Sequence, residues 1–314
     1  MDIDILIFLQ NFRNGSGAIL ADLMQKSTFF GELNTTMALL AITYWCIDKA
    51  LGTYLLMGWS GNRFLNGTLK VTFCAYRPWI RDPRIVPYSD SMKTATGYSF
   101  PSGHSMNAST VFGGGVVRRD LPFVLRITLF LIMSLVGFSR LYLGVHTPQD
   151  VLVAFIAGMF VMSLTILLLR WVEAHPEKDW IVVVTGLVIA LLLGLYAGFK
   201  PYPIDYDAEG NILVEGAKMA NDTFKAIGWA SAFLIGWFLE RRYVKFSTDI
   251  SLPKRFARCF TGMIGFYIVS LVNVPLVKMW FSSPFGTMLS CFEQMFYISF
   301  LFPWLFMKLE KPDE

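Results

Sequence analysis

Charge is what this chain has least of. Asp, Glu, Lys and Arg make up 16% of its 314 residues, 54% is apolar, and the mean hydropathy is +0.50. A soluble domain carries roughly a quarter charged residues, so this composition excludes an ordinary water-soluble enzyme and indicates a polytopic membrane protein. Cysteine is scarce too. Cys46, Cys74, Cys259 and Cys291 are scattered through mostly apolar runs with no pair at metal-ligand spacing, so they read as packing residues. No basic stripe with interleaved aromatics is present and the net charge of +4 is modest, which removes nucleic acid from the expected partners. The start, Met1-Asp2-Ile3-Asp4, lacks the basic segment of a cleavable signal peptide. Histidine occurs only three times, as His104, His146 and His175.

What is abundant is apolar length. A helix needs about 20 apolar residues to cross a bilayer, and about nine segments qualify: near 33–48, 50–70, 103–118, 121–140, 149–171, 180–199, 219–240, 256–280 and 286–307. The second is weakened by Asn62, Arg63 and Asn66, and Lys70 ends it. Ahead of them, Ile5, Phe8, Leu9 and Phe12 follow helical spacing, so residues 1–14 read as an amphipathic helix in the membrane interface, ended near Asn14-Gly15. The expected fold is all-α: a polytopic bundle forming one domain over 1–314, with a motif-bearing core at 60–165 and further transmembrane helices over 172–314. Alternating through nine spans collects Arg118-Arg119, Arg170, Arg241-Arg242, Lys245, Lys254-Arg255, Arg258, Lys308 and Lys311 on one side. The excess of cations makes that side cytoplasmic. The other side receives the three motifs described next and the loop 200–218. The N-terminus is then outside and the C-terminus cytoplasmic.

Three short stretches read together as a phosphate-handling site. In Pro101-Ser102-Gly103-His104, Ser102 suits a helix N-cap, and Gly103 lets an oxyanion approach the free N–H groups of the first turn. His104 projects from that turn. In Ser139-Arg140-x-x-x-x-x-His146-x-x-x-Asp150, His146 lies just before Pro148 at the start of a helix. Asp150 would be costly inside an apolar run without a partner, and His146 is the natural one. A carboxylate on one imidazole nitrogen fixes the tautomer and leaves the other nitrogen to attack. In Lys70-x-x-x-x-x-x-Arg77-Pro78, Lys70 supplies a point charge and Arg77 a fork for two oxygens. Together the stretches hold two proton or phosphoryl carriers and three cations, enough to move a phosphoryl group without a metal. Arg63 and Asn66 share a helical face with Lys70. They form either a polar lining under the site or, in the case of Arg63, a buried arginine turned toward another helix. His175 lies in the loop Glu173-Ala174-His175-Pro176, on the opposite side, and reads as an ordinary loop histidine.

These stretches resemble the type 2 phosphatidic acid phosphatase superfamily, whose pattern K-x-x-x-x-x-x-R-P, P-S-G-H, S-R-x-x-x-x-x-H-x-x-x-D is present here at every position with the same spacing. The resemblance implies a helical membrane phosphatase that needs no metal or other cofactor. It implies that His146 is the nucleophile and passes through a phosphohistidine, that Asp150 orients it, and that His104 is the general acid. Lys70, Arg77, Ser102, Gly103 and Arg140 would hold the phosphoryl oxygens. The expected substrate is a phosphate monoester or diphosphate, of a lipid or of a small ester, taken at the bilayer. Alternatives on the same scaffold are a sugar-phosphate phosphatase, a phosphotransferase and a vanadate-dependent peroxidase, the last opposed by the nine spans. Shape of the entrance falls to segment 79–100 and to the loop 200–218.

Overall fold

The computed structural model describes residues 2–310; Lys311, one of the loop charges used above for orientation, lies outside them. Among the described residues every named element is helical, and the only extended pairing is an isolated antiparallel bridge between Tyr206 and Ile212. The chain runs through α1 (Asp2–Ser16), α2 (Ala18–Ser27), a tight 3-10 turn (Thr28–Gly31), α3 (Leu33–Ile42), α4 (Lys49–Phe73) and the short α5 (Pro78–Arg81). A second 3-10 turn (Ser89–Thr94) leads to α6 (Gly103–Ala108), α7 (Gly114–Val117), α8 (Phe123–Tyr142) and α9 (Pro148–Ala174). Then come α10 (Asp179–Phe199), α11 (Gly216–Leu239), α12 (Leu252–Ile268), α13 (Val274–Trp280), α14 (Phe285–Phe296) and α15 (Phe302–Leu309).

Helices cover all nine expected spans, but length and apolarity together do not reproduce the count. Among the described residues, five are long and apolar enough to cross a membrane: Phe123–Tyr142, Pro148–Ala174, Pro176–Phe199, Leu252–Val277 and Phe285–Leu309. The remaining four fall short for physical reasons. Leu33–Ile47 is apolar but short. The run from Gly103 to Val117 is a succession of 6, 5 and 4 residues, which rises about 22 Å against a hydrocarbon core of about 30 Å. Helix α4 is 25 residues long but carries Asn62, Arg63, Asn66 and Lys70, and α11 is 24 residues long but opens with Lys218, Asn221, Asp222 and Lys225.

Helix α1 extends slightly past the expected end, and α2 was not expected at all. Gly17, at φ +80°, takes the positive-φ backbone that separates them. Phe8, Phe12, Ile19 and Leu23 are exposed, an apolar surface suited to a membrane interface. The opposite face of α1 is docked through polar groups. Arg13 is buried and donates from Nη1 to the Tyr142 carbonyl (2.9 Å) and from Nη2 to the Val86 carbonyl (2.6 Å). Gln10 exchanges hydrogen bonds with the Arg84 carbonyl and the Val86 amide.

The chain divides into two compact units. The first comprises Met1–Thr36, Leu65–Ser163 and Lys200–Met219 and holds all three motifs. Its apolar centre joins Ala108, Met133 and Val136 with Phe112, Phe155 and Met159. Two glycines let its helices approach closely: a Cβ at Gly158 would lie 2.4 Å from the Ser109 Cβ, and one at Gly137 would lie 2.3 Å from the Phe155 ring. The helix after the PSGH stretch is thereby held against the helix that carries Asp150. The second unit comprises Met37–Phe64, Leu164–Phe199 and Ala220–Glu314. It is centred on Ala190, Leu193 and Ile227 and tied by buried or half-buried ion pairs, Lys49 to Glu240, Arg241 and Arg242 to Asp179, and Arg258 to Glu310.

Candidate active site

The PSGH stretch is a capped helix start, as its composition requires. Ser102 is fully buried at the N-cap of α6, where its Oγ accepts from the Ser105 amide (3.4 Å) and from the Ser105 hydroxyl (2.9 Å). The loop before it is fastened from two sides. The Ser102 amide donates to the Asp150 carbonyl (3.0 Å), and Asn66 Nδ2 donates to the Pro101 carbonyl (3.4 Å). The nearest atom to a Cβ placed on Gly103 would be Asn66 Oδ1 at 4.0 Å, so the backbone there stays approachable. His104 is half-buried in the first turn of α6. The Thr28–Gly31 turn sits on its backbone, with Asn107 Nδ2 donating to the Gly31 carbonyl at 3.0 Å.

His146 is buried between a carboxylate and an arginine. Its Nδ1 lies 3.2 Å from Asp150 Oδ2, and its Nε2 lies 2.9 Å from Arg77 Nη1. An arginine can only donate and a carboxylate can only accept. The tautomer compatible with both contacts therefore carries its proton on Nδ1 and a lone pair on Nε2. Asp150 Oδ2 also accepts from the Thr147 amide (2.8 Å) and from Ser99 Oγ (2.5 Å), so it is held by three donors. Burial keeps the His146 imidazole well below its usual 6.5; the Arg77 charge acts in the same direction and the Asp150 contact only partly opposes it. A neutral ring with its lone pair on Nε2 is the nucleophilic form.

The cations divide into braced and unbraced groups. Lys70 Nζ donates to the Tyr98 carbonyl at 2.5 Å. Arg77 is buried and donates to the carbonyls of Gly97, Val145 and Thr96 at 2.9, 3.0 and 3.0 Å, besides its contact with His146. These bonds tie the first motif to the third. Arg140, in the last turn of α8, differs: it is fully buried, yet none of its three guanidinium nitrogens has a hydrogen-bond partner. It lines a cleft of about 400 Å³. A buried guanidinium without acceptors is costly unless it is there to meet an anion.

All eight expected site residues lie in the first unit. Direct bonds join Arg77, His146 and Asp150, and a backbone bond joins Ser102 to Asp150. Arg63 is not among them. Its guanidinium lies over the Trp229 ring at 5.6 Å, within the second unit, so it is the arginine turned toward another helix and not a lining of this site. Asn66, by contrast, does support the PSGH loop. Ser99 was missed; it falls two residues before Pro101, and only the tertiary contact with Asp150 reveals it. His175 stacks on Trp171 at the end of α9, with Nδ1 3.0 Å from the Trp171 carbonyl. Among the described residues, no three His, Cys, Asp or Glu side chains gather to hold a metal ion.

Two parts of the chain are similar to known protein families. Residues 50–174 match the family model described as the PAP2 superfamily, and residues 224–313 match the one described as PAP2 superfamily phosphatase, transmembrane extension. A phosphatidylglycerophosphatase B of Bacillus subtilis is 36% identical over 121 residues, covering 36% of this chain and 55% of that protein. A sphingosine-1-phosphate phosphatase 2 of Homo sapiens is 30% identical over 151 residues, covering 46% of this chain and 36% of that protein. The chain thus spans about a third to a half of the length of these curated relatives. The crystal structure of a transmembrane PAP2 type phosphatidylglycerolphosphate phosphatase from Bacillus subtilis is 28% identical and covers 56% of this chain and 85% of its own, at a TM-score of 0.43.

Proposed function

The chain belongs to the PAP2 superfamily, and from that premise we propose that it is an integral-membrane phosphatase that hydrolyses a phosphate monoester or diphosphate, of a lipid, through a phosphohistidine on His146. The observation that carries the reading is the His146 arrangement: Nδ1 against Asp150 at 3.2 Å, Nε2 against Arg77 at 2.9 Å, and the ring kept neutral by burial. The unpartnered guanidinium of Arg140 supports it by offering donors to an oxyanion. The names of the relatives, both phosphatases of phosphorylated lipids, support the substrate class.

In the proposed reaction the phosphoryl group sits among Lys70, Arg77, Arg140 and the backbone and side chain at Ser102 and Gly103. Its arrival draws Arg77 Nη1 from Nε2 to a phosphoryl oxygen, which frees the lone pair. Nε2 attacks phosphorus, the N–P bond forms, and the ester P–O bond breaks. His104, protonated, gives its proton to the departing oxygen. The positive charge that the ring acquires is met by Asp150 through Nδ1–H. Water then attacks phosphorus, His104 takes a proton from it, the N–P bond breaks, and phosphate leaves with His146 neutral again. Residues 118–119, before α8, are both arginine, and α8 rises 20 residues from there, about 30 Å, to the Arg140 end. The positive-inside tendency supports a site facing away from the cytoplasm.

The test is phosphate release by the purified full chain across a panel of lipid phosphates, beside His146→Ala. Release by the native chain and none by the variant is expected; equal release by both would refute the assignment.

A further inference from the structure

The cleft that reaches Arg140 is walled by two segments outside the family motifs, the end of α2 with its following turn and the 3-10 turn Ser89–Thr94. Both walls are fixed in place. Asn107 holds the Gly31 carbonyl, the Tyr88 hydroxyl donates to Asp22 at 2.9 Å, and the Tyr88 amide donates to the Leu143 carbonyl at 3.0 Å. The cleft lining contains two polar side chains that are more than nine-tenths buried and have no partner. One is Arg140, 0% exposed, and the other is Ser91, 3% exposed, whose Oγ bonds to nothing. Two such groups in one cleft are donors that a bound ligand can satisfy.

The rest of the lining is unlike an oxyanion cradle. Its cations, Lys26 and Arg140, are matched by two carboxylates, Asp22 and Glu32. Glu32 is the charge that acts on Arg140. A cleft meant for a second phosphate would be basic throughout, because a carboxylate near the incoming anion repels it. A balanced cleft suits one phosphate at Arg140 with a neutral or cationic group beside it.

We propose, building on the phosphatase reading above, that this cleft seats the polar head of the leaving alcohol. Ser91 donates to the phosphate beside Arg140, and Glu32 accepts a hydrogen bond from a hydroxyl or ammonium group next to the ester carbon. The preferred substrate is then a phosphate monoester of an alcohol bearing such a donor, and a diphosphate is disfavoured.

The experiment compares kcat/KM of the purified full chain for four probes: a long-chain alkyl phosphate, its 2-hydroxy and 2-amino analogues, and the alkyl diphosphate. The native chain should favour the two substituted monoesters over the other probes by about tenfold, the scale of one hydrogen bond to a charged group. Glu32→Ala should abolish that preference, and with the carboxylate's repulsion of the phosphate removed, the plain alkyl phosphate should be turned over no worse than by the native chain. Glu32→Gln should keep the preference for the hydroxyl and lose that for the ammonium. Ser91→Ala should raise KM for every probe without changing their order. No preference in the native chain, or an equal loss on all four probes in Glu32→Ala, would overturn the inference while the phosphatase reading stood. Hydrolysis of none of the four by the native chain would overturn that reading, and the inference with it.

Discussion

Replacing Asp150 by Asn removes one charge and almost no volume, so its effect isolates the electrostatics of the pair. Attack by His146 turns a neutral ring into a cation, and the Asp150 carboxylate is the anion that faces it at 3.2 Å. With both side chains buried, an effective dielectric of about 20 makes that attraction about 5 kcal/mol. At about 1.4 kcal/mol per decade, its loss lowers kcat by about three to four orders of magnitude. An asparagine can also turn its NH₂ toward Nδ1, which would move the imidazole proton to Nε2 and block attack, so the effect acts on kcat and not on substrate binding. Single-turnover kinetics with a lipid phosphate would show KM within a few-fold of native. The pH profile gives a second readout. Asp150 favours the protonated ring, so without it the His146 pKa, already below 6.5, falls further and the acid limb governed by that ring moves to lower pH. A variant within threefold of native kcat, or an acid limb moved upward, would refute this reasoning.

Other outcomes follow from the same structure. Arg140→Met should leave thermal stability in detergent unchanged or raised, because it removes a buried guanidinium without partners, while activity falls by about 100-fold or more; a large drop in melting temperature with activity retained would contradict the role given to Arg140. Arg13→Met should destabilise the chain by about 2–4 kcal/mol, through the lost bonds to Tyr142 and Val86, read as a lower melting temperature. Gly158→Leu should misassemble or strongly destabilise the first unit, because even a Cβ would meet Ser109 at 2.4 Å; native-like melting would argue against this close packing. The folded state resists protonation of His146, whereas the unfolded chain binds that proton near pH 6.5. Stability conferred by this residue is therefore full above that pH and is lost as pH falls through the lowered folded value, and His146→Gln should flatten this part of the stability profile.

Much of the candidate site's arrangement was legible because each motif residue carries its own chemistry at fixed spacing. Asp150 in an apolar run demanded a partner four residues away, and it has one. Ser102 before Gly103 announced a helix start. Ser99 was not legible, since nothing in the spacing links it to a carboxylate fifty-one residues on, and the link exists only once the loop before α6 is folded back. Arg63 shows why a shared helical face is weak evidence. It lies in register with Lys70, but α4 passes from one compact unit to the other between residues 64 and 65, so the same face meets different neighbours along its length. Helix α2 was obscured because Gly17 interrupts the apolar pattern of α1. The count of nine spans included α4 because alternation of sides needs it there; length and apolarity do not confirm the count, since α4 and α11 are long but polar and the Gly103–Val117 run is short.

The most direct measurement of the central claim is capture of the covalent intermediate. The full chain carrying His104→Ala is mixed with a phosphate ester of a good leaving group, quenched in alkali, digested and sequenced by mass spectrometry, with His146→Ala beside it. A phosphoryl group on the His146 ring of the first protein and none on the second is the expected result. Phosphate released at the native rate with His146 unmodified, or a phosphoryl group carried elsewhere in the chain, would contradict it.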